Sequence, residues 1–356
     1  MKAIRFHGKH DVRVEQAPDP GALQHGQVLI KPVLCGICGT DLHEFESGPI
    51  FTPVKPNPYS GAVMPQILGH EFSARVESIG EGVVSVKPGD RISIQPQIGP
   101  RHDYFGRRNL SYLGPMASVI GLSWPWGGMA ELAVVNDYNC VPMPDDITDC
   151  HGALIEPAAV AVHAMDRSGI GPGGSVLITG AGPIGALAVL AAKAAGATRI
   201  IVSEPNASRR KRIESMGIVA AVIDPARDNV PAAVRILTEE GVGVDAAIEC
   251  AGNGRALQSC LEAVRPQGTV VQVGLMGAPV EISPFDMTMR DVTLRGSLNY
   301  PLTVWPRIFA MIRSGLYPVD DIVDGVIAMD DVVKDGFLPL LDKAGAKMKI
   351  LVSMER

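Results

Sequence analysis

Cys38 stands in Gly36-Ile37-Cys38-Gly39-Thr40-Asp41-Leu42-His43, and Gly69-His70-Glu71 follows in the same N-terminal stretch. A thiolate, an imidazole and carboxylates are donors that one zinc ion accepts together. A purely structural zinc is closed by four protein ligands, usually rich in cysteine, and nothing near Cys38 supplies that set. Three protein ligands with one position left for water or substrate let zinc act as a Lewis acid, so the expected metal is a catalytic one. Two plainer readings stand beside this. His70 could be a satisfied core imidazole, and Cys35-x-x-Cys38 could be a redox pair, although it lacks a thioredoxin-like context and a second cysteine pair.

A second group of residues suggests what the metal serves. Gly174–Thr179 reads as a buried strand and runs into Gly180-Ala181-Gly182-Pro183-Ile184-Gly185, which opens an alanine-rich helix. That is a dinucleotide fingerprint in its required context. Gly180 permits the tight turn, Gly182 lets backbone amides approach a pyrophosphate, and Gly185 lets helix and strand pack closely. The next strand, Arg199–Ser203, delivers Glu204 to where the adenine ribose hydroxyls should lie. A carboxylate there accepts hydrogen bonds from the diol and repels a 2′-phosphate, so NAD is expected rather than NADP. Arg209 is placed in the same cofactor site, and it or Arg210 would weaken that preference. The run Arg209–Arg212 otherwise reads as a solvated helix face.

These residues need two kinds of scaffold. From Met1 to about Cys150 short strand-like runs such as Gln27–Val33 and Glu71–Val76 are separated by Pro/Gly turns, which predicts a strand-dominated domain. Beyond Glu156, helix-like stretches alternate with apolar strands at 176–178, 199–202, 220–223, 245–249 and 269–273. That alternation predicts an α/β fold with a doubly wound parallel sheet. A helix is expected over Thr303–Ser314 and a final strand over Lys349–Ser353.

Taken in order, these motifs resemble the zinc-containing medium-chain alcohol dehydrogenases, within them the 2,3-butanediol and sorbitol dehydrogenase branch. The resemblance also rests on Asp41–Phe45 with Gly48–Phe51, Gly80–Val83, Val86–Arg91, Glu156-Pro157, Glu249–Gly252 and Arg295–Ser297. It implies a GroES-like catalytic domain over 1–155, a Rossmann NAD-binding domain over 156–295, and a return to the catalytic domain over 296–356. It also implies Cys38 and His70 as zinc ligands, with Glu71 and Glu156 both at acidic positions that approach the metal; either could be the third ligand or a solvated acid. Thr40 and His43 match a proton relay that runs from the alcohol through a hydroxyl and the cofactor ribose to an imidazole at the solvent. A hydroxyl both donates and accepts, and histidine titrates near neutrality. Thr40 could instead cap the following helix, and His43 could be a surface histidine without a proton role.

The chain departs from many relatives in one stretch. Where they hold a second zinc with four cysteines, 97–128 contains none, so no structural zinc is expected; its aromatic residues could fill the lobe or meet another subunit. The implied reaction is hydride transfer between NAD(H) and a secondary alcohol or ketone. The favoured substrate is a vicinal diol or its hydroxyketone, such as 2,3-butanediol and acetoin, with a sugar alcohol the alternative. A zinc-free quinone or enone reductase shares the architecture but does not need Cys38, His70, Glu71 and Glu156 together. A noncatalytic protein on this scaffold should have lost the relay or the ligands.

Composition narrows the partners. A net charge of -6 without a sizeable basic cluster argues against nucleic acid or an anionic membrane surface. No apolar run approaches the roughly twenty residues that span a bilayer, and Met1–Arg5 opens into strand-like sequence rather than a signal peptide. Six scattered cysteines form no disulfide framework, which fits a reducing compartment, so the cytoplasm is expected. The expected partners are a small alcohol or ketone and further copies of the chain, as a homodimer or homotetramer.

Overall fold

The computed structural model describes residues 1–342 and 344–355. The N-terminal part contains β1 (Lys2–Gly8), β2 (Asp11–Gln16), β3 (Gln27–Gly36), α1 (Gly39–Ser47), β4 (Gln66–Ile67), β5 (Glu71–Ile79) and β6 (Arg91–Ile94), then β7 (Gln97–Ile98), β8 (Ser118–Val119), β9 (Ala133–Asn136) and β10 (Cys140–Pro142). After α2 (Asp149–Ser168) strands and helices alternate: β11 (Ser175–Thr179), α3 (Pro183–Ala194), β12 (Arg199–Ser203), α4 (Ala207–Ser215), β13 (Ala221–Ile223), α5 (Val230–Ile236), β14 (Val244–Glu249), α6 (Gly254–Ala263), β15 (Val264–Gln272), α7 (Pro284–Arg290) and β16 (Thr293–Gly296). The tail holds α8 (Trp305–Arg313), β17 (Val323–Ala328), α9 (Leu338–Leu341) and β18 (Lys349–Ser353).

β11 to β16 form a parallel sheet in the order β13-β12-β11-β14-β15-β16. Counted within the unit this is 3-2-1-4-5-6, the doubly wound Rossmann order, so the expected fold class holds. The central strands β11, β12 and β14 are mostly apolar and buried because both faces of the sheet are covered there. Val176, Ile178, Ile200 and Val202 pack with α2 and α3, whereas Leu177, Ile201 and Ala247 pack with α5 and α6 on the other side.

The β-rich part is the GroES-like module. Its larger sheet runs β10-β6-β5-β3-β18-β17, with β9 also paired to β3. The last strands of the chain therefore lie beside β3, which leads directly into Cys38. Residues 155 and 156 fall inside one helix, α2, whose ends are well specified. Thr148 accepts a hydrogen bond from the His151 amide at 3.1 Å, and Gly169 closes the helix with φ 73°. Its first turn sits on β5 and β6, where Asp149 takes a two-pronged ion pair from Arg75 at 2.8 Å and a contact from Arg91 at 3.3 Å. Farther along, Tyr317 Oη donates to the Ala158 and Leu187 carbonyls at 3.5 and 3.2 Å. The expected helix over Thr303–Ser314 is α8, and it buries Trp305, Ile308 and Phe309. Full burial of such side chains contributes roughly 1.5–3 kcal/mol each.

Candidate active site

The end of β3 and the start of β5 bring the metal-ligating types together. Gly36 lies opposite Glu71, and a Cβ on Gly36 would run into the Glu71 carboxylate. Gly69, at φ +97°, leaves no room for a side chain against Cys35 and Met129, and this turn delivers His70. Cys38 begins α1 and donates its N–H to Asp41 Oδ2 at 2.9 Å. One ligand atom each from Cys38, His70 and Glu71 then lies within 4.8 Å of the others, and no other such His/Cys/Asp/Glu group occurs among the described residues.

This triplet fits a zinc ion on more than residue type. His70 Nδ1 and Asp41 Oδ1 are 3.7 Å apart, and both are buried without a hydrogen-bond partner. A protein ordinarily leaves few such atoms, so a satisfied core imidazole does not describe His70. Burial alone lowers an imidazole pKa, yet the acidic groups of Cys38 and Asp41 beside it hold that of His70 well above its ordinary value. Burial pushes the Cys38 thiol upward in turn. The pocket therefore favours positive charge, and a cation is what would let the thiolate form there.

The two candidate carboxylates differ. Glu71 Oε2 accepts from Lys349 Nζ at 2.6 Å, and Lys349 also donates to the Ile37 carbonyl at 2.9 Å. Glu156, on α2, stays outside the triplet but within electrostatic range of His70 and Glu71. Its Oε1 accepts from Tyr300 Oη at 2.6 Å, and burial pushes its pKa up to about 7. Thr40 Oγ1 is 3.7 Å from Cys38 Sγ, and His43 is exposed one turn farther along α1. The helix cap is made by Cys38 and Asp41, not by Thr40. Cys35 is fully buried and donates to its neighbour's carbonyl; burial raises its thiol well above the usual range, against the redox reading.

Gly180 has φ +85°, Gly182 caps α3, Pro183 and Ile184 form its first turn, and a Cβ on Gly185 would strike the Gly180 carbonyl. Glu204 is buried: Oε2 accepts the Ala181 amide at 2.6 Å and Oε1 the Asn206 amide at 2.8 Å. Each oxygen keeps a further lone pair for a ribose hydroxyl. Arg209 is half-buried, its Nη1 is 3.9 Å from where a Gly182 Cβ would sit, and its Nε has no hydrogen-bond partner. At the carboxyl ends of these strands lies a cavity of ≈ 570 Å³ lined by Thr179, Gly180, Ser203, Asn229 and Arg255. Another, ≈ 620 Å³, lies between α6 and α7 and contains none of the expected site residues.

Several residues were not foreseen. Asp41 and Lys349 support the triplet, and Tyr300 holds Glu156. Glu44 is fully buried and accepts the amides of Ile50, Phe51 and Thr52 at 3.0, 2.5 and 3.2 Å, fixing the loop after α1. Lys349 carried a readable signal, a charge inside the apolar run Lys-Ile-Leu-Val. In the lobe at 97–128 Asp103 accepts the Gly106 amide at 2.7 Å, Arg108 lies 4.0 Å over the Tyr104 ring, and Trp124 and Trp126 pack on the β-rich core.

A glycine-fingerprint Rossmann sheet joined to a GroES-like module with a thiolate–imidazole–carboxylate cluster defines a metal-dependent, nucleotide-using oxidoreductase. Comparison with known proteins agrees. Residues 24–145 match the family model for the alcohol dehydrogenase GroES-like domain, and 183–314 match that for zinc-binding dehydrogenases. The chain is 36% identical over 354 residues to (R,R)-butanediol dehydrogenase of Bacillus subtilis (strain 168), covering 99% of both. It is 32% identical over 314 residues to sorbitol dehydrogenase of Homo sapiens, covering 88% of this chain and 85% of the relative. The crystal structure of 2R,3R-butanediol dehydrogenase from Bacillus subtilis superposes with TM-score 0.92 at 35% identity, covering 99% of each chain. A Sinorhizobium meliloti 1021 chain solved bound to NADP gives TM-score 0.87 at 31% identity, covering 99% of this chain and 98% of that one. The chain belongs to the zinc-dependent medium-chain alcohol dehydrogenase family, enzymes that work on small molecules with zinc and a nucleotide cofactor.

Proposed function

We propose that this enzyme interconverts a vicinal diol and its hydroxyketone, such as 2,3-butanediol and acetoin, with NAD(H). The observation that carries the chemistry is the convergence of Cys38, His70 and Glu71 within 4.8 Å. The substrate class is supported by the 36% identity to the Bacillus subtilis butanediol dehydrogenase over nearly the whole chain. A polyol is the second reading, favoured by the sorbitol dehydrogenase likeness.

Cys38 and His70, with Glu71 or Glu156 as third ligand, would hold one catalytic zinc, which supplies Lewis acidity toward the substrate hydroxyl. Thr40 accepts the hydroxyl proton as it gives up its own, and exposed His43 releases the proton to solvent. Lys349 pairs with the Glu71 carboxylate in a buried place, and Tyr300 donates its hydroxyl hydrogen bond to Glu156. Gly180, Gly182, Pro183, Ile184 and Gly185 seat the pyrophosphate, Glu204 receives the ribose diol of NAD, and Arg209 lies beside the phosphates. We assign no structural zinc to 97–128, a cysteine-free segment.

We divide the chain into a catalytic domain to residue 155, a nucleotide domain over 156–295 and a catalytic return over 296–356, supported by the pairing of β18 with β3. The unpaired outer edge of β16, near exposed Phe285, Met289 and Leu298, supports a homodimer or homotetramer. Free, scattered cysteines support work in the cytoplasm, and no described helix is long and apolar enough to cross a membrane.

The test is NADH formation on vicinal diols, polyols and simple secondary alcohols, before and after chelation. Cys38→Ser should lose turnover and zinc while binding NAD as the zinc-free unaltered protein does. Equal turnover after zinc removal would sink the proposal, and two tightly held zinc ions per chain would contradict the single-metal assignment.

A further inference from the structure

A run of polar contacts links the helix that follows Glu204 to the metal-ligating triplet. Arg212, on α4, donates Nη1 to Asp324 Oδ1 at 2.5 Å and Nη2 to the Asp321 carbonyl at 3.0 Å. Asp324 lies on β17, and its Oδ2 accepts the amides of Met348 and Lys349, at 2.5 and 3.0 Å, where β18 begins. From there the buried Lys349 ammonium reaches Glu71 Oε2 and the carbonyl of Ile37, the residue before Cys38. A parallel contact starts at Asn206, whose N–H is held by Glu204 and whose Oδ1 caps α4 through the Arg209 amide at 3.0 Å. Asn206 Nδ2 donates to the Gly345 carbonyl at 3.0 Å.

The turn and helix that follow Glu204 are thus attached twice to the segment that carries Lys349. The Arg212–Asp324 pair is mostly buried, with side-chain exposures of 21% and 12%. A charge-assisted pair in that setting fixes a geometry, which an exposed pair does not. The planar guanidinium fork holds two acceptors on the catalytic side at once.

We propose that Arg212 and Asp324 are positioning residues that couple the nucleotide site to Glu71 and Cys38 through the backbone of Lys349. The proposal rests on the functional reading of both sites. A nucleotide seated against Glu204 fixes the 204–206 turn and α4 with it; Arg212 then sets Asp324, Asp324 sets the first amides of β18, and Lys349 sets the Glu71 carboxylate and the Ile37 carbonyl. By linkage the metal must favour nucleotide binding by the same factor as nucleotide favours metal binding.

The coupling is the ratio of NAD dissociation constants for zinc-free and zinc-loaded full-length protein, both measured by calorimetric titration. The unaltered protein should show a ratio of about fivefold or more. In Arg212→Met and Asp324→Asn the ratio should fall to within ~2-fold of unity, with zinc-free NAD affinity little changed, and Arg212→Lys should restore part of it. Asp324→Asn keeps an oxygen for the Met348 and Lys349 amides, so it decides the matter if circular dichroism shows Arg212→Met unfolded. A ratio near unity in the unaltered protein, or an undiminished ratio in Asp324→Asn, overturns the coupling. Failure to bind NAD or zinc at all overturns the functional reading itself, and the coupling with it.

Discussion

At the scale of single residues, the site depends on charges held out of water. Lys349 and Glu71 are each 1% exposed, so neither is stabilised by solvent. Lys349→Met should cost the zinc-free protein about 3–5 kcal/mol, because Glu71 is left as an unpaired buried charge. Denaturant unfolding measures this, and Glu71→Gln added to the same variant should recover part of the loss. Glu204 yields a second expectation. Glu204→Ser should lower the preference for NAD over NADP, as a ratio of kcat/KM values, by roughly tenfold, or about 1.4 kcal/mol. A clear preference for NADP in the unaltered enzyme would show that Glu204 does not carry cofactor choice. Cys38, His70 and Glu71 were legible in the sequence because donor type and spacing are local properties. Asp41 and Glu44 were not, since each is an ordinary charged residue until tertiary packing buries it, and Lys349 showed only as a charge at the head of an apolar run, without its partner Glu71. Glu204 was expected as a ribose acceptor, and its hold on the Ala181 amide, a contact made between the turns after two strands, was not readable.

At the scale of elements, α2 places Glu156, and its first turn is held by Asp149 between Arg75 and Arg91. The Arg75 guanidinium holds the Asp149 carboxyl below its ordinary value, although burial works the other way. A carboxyl whose folded pKa is depressed contributes stability above its unfolded pKa, near 3.9, and loses it as pH falls through the folded value. Unfolding midpoints of the unaltered protein and Asp149→Asn should therefore differ most near neutrality and converge below about pH 4. A gap that stays constant down to pH 3 would assign the effect to packing instead. The alternating strands and helices were readable because apolar runs bounded by turns report periodicity directly, and β11, β12 and β14 fall close to the expected ranges. The helix that crosses residues 155 and 156 was not readable, because a change of texture in the sequence marks neighbouring units without showing that one element belongs to both.

At the scale of the whole molecule, β18 joins β3, a partner hundreds of residues earlier in the chain. No periodicity announces such a pairing, and only the resemblance to a family implied it. The free edge of β16 is the corresponding open question of assembly, since an unpaired strand beside exposed apolar side chains invites a second copy. Light scattering should give a solution mass two or four times the chain's 37.6 kDa, and a monomer at micromolar concentration would rule the assembly out. The route of α2 has a mechanical consequence. Its first turn is bolted to β5 and β6, and its later turns rest against α3 and the Tyr317 region. A rod held at both ends ties these parts together, so any opening of the crevice would have to be taken up along α2, where Pro157, next to Glu156, leaves the helix one internal hydrogen bond short.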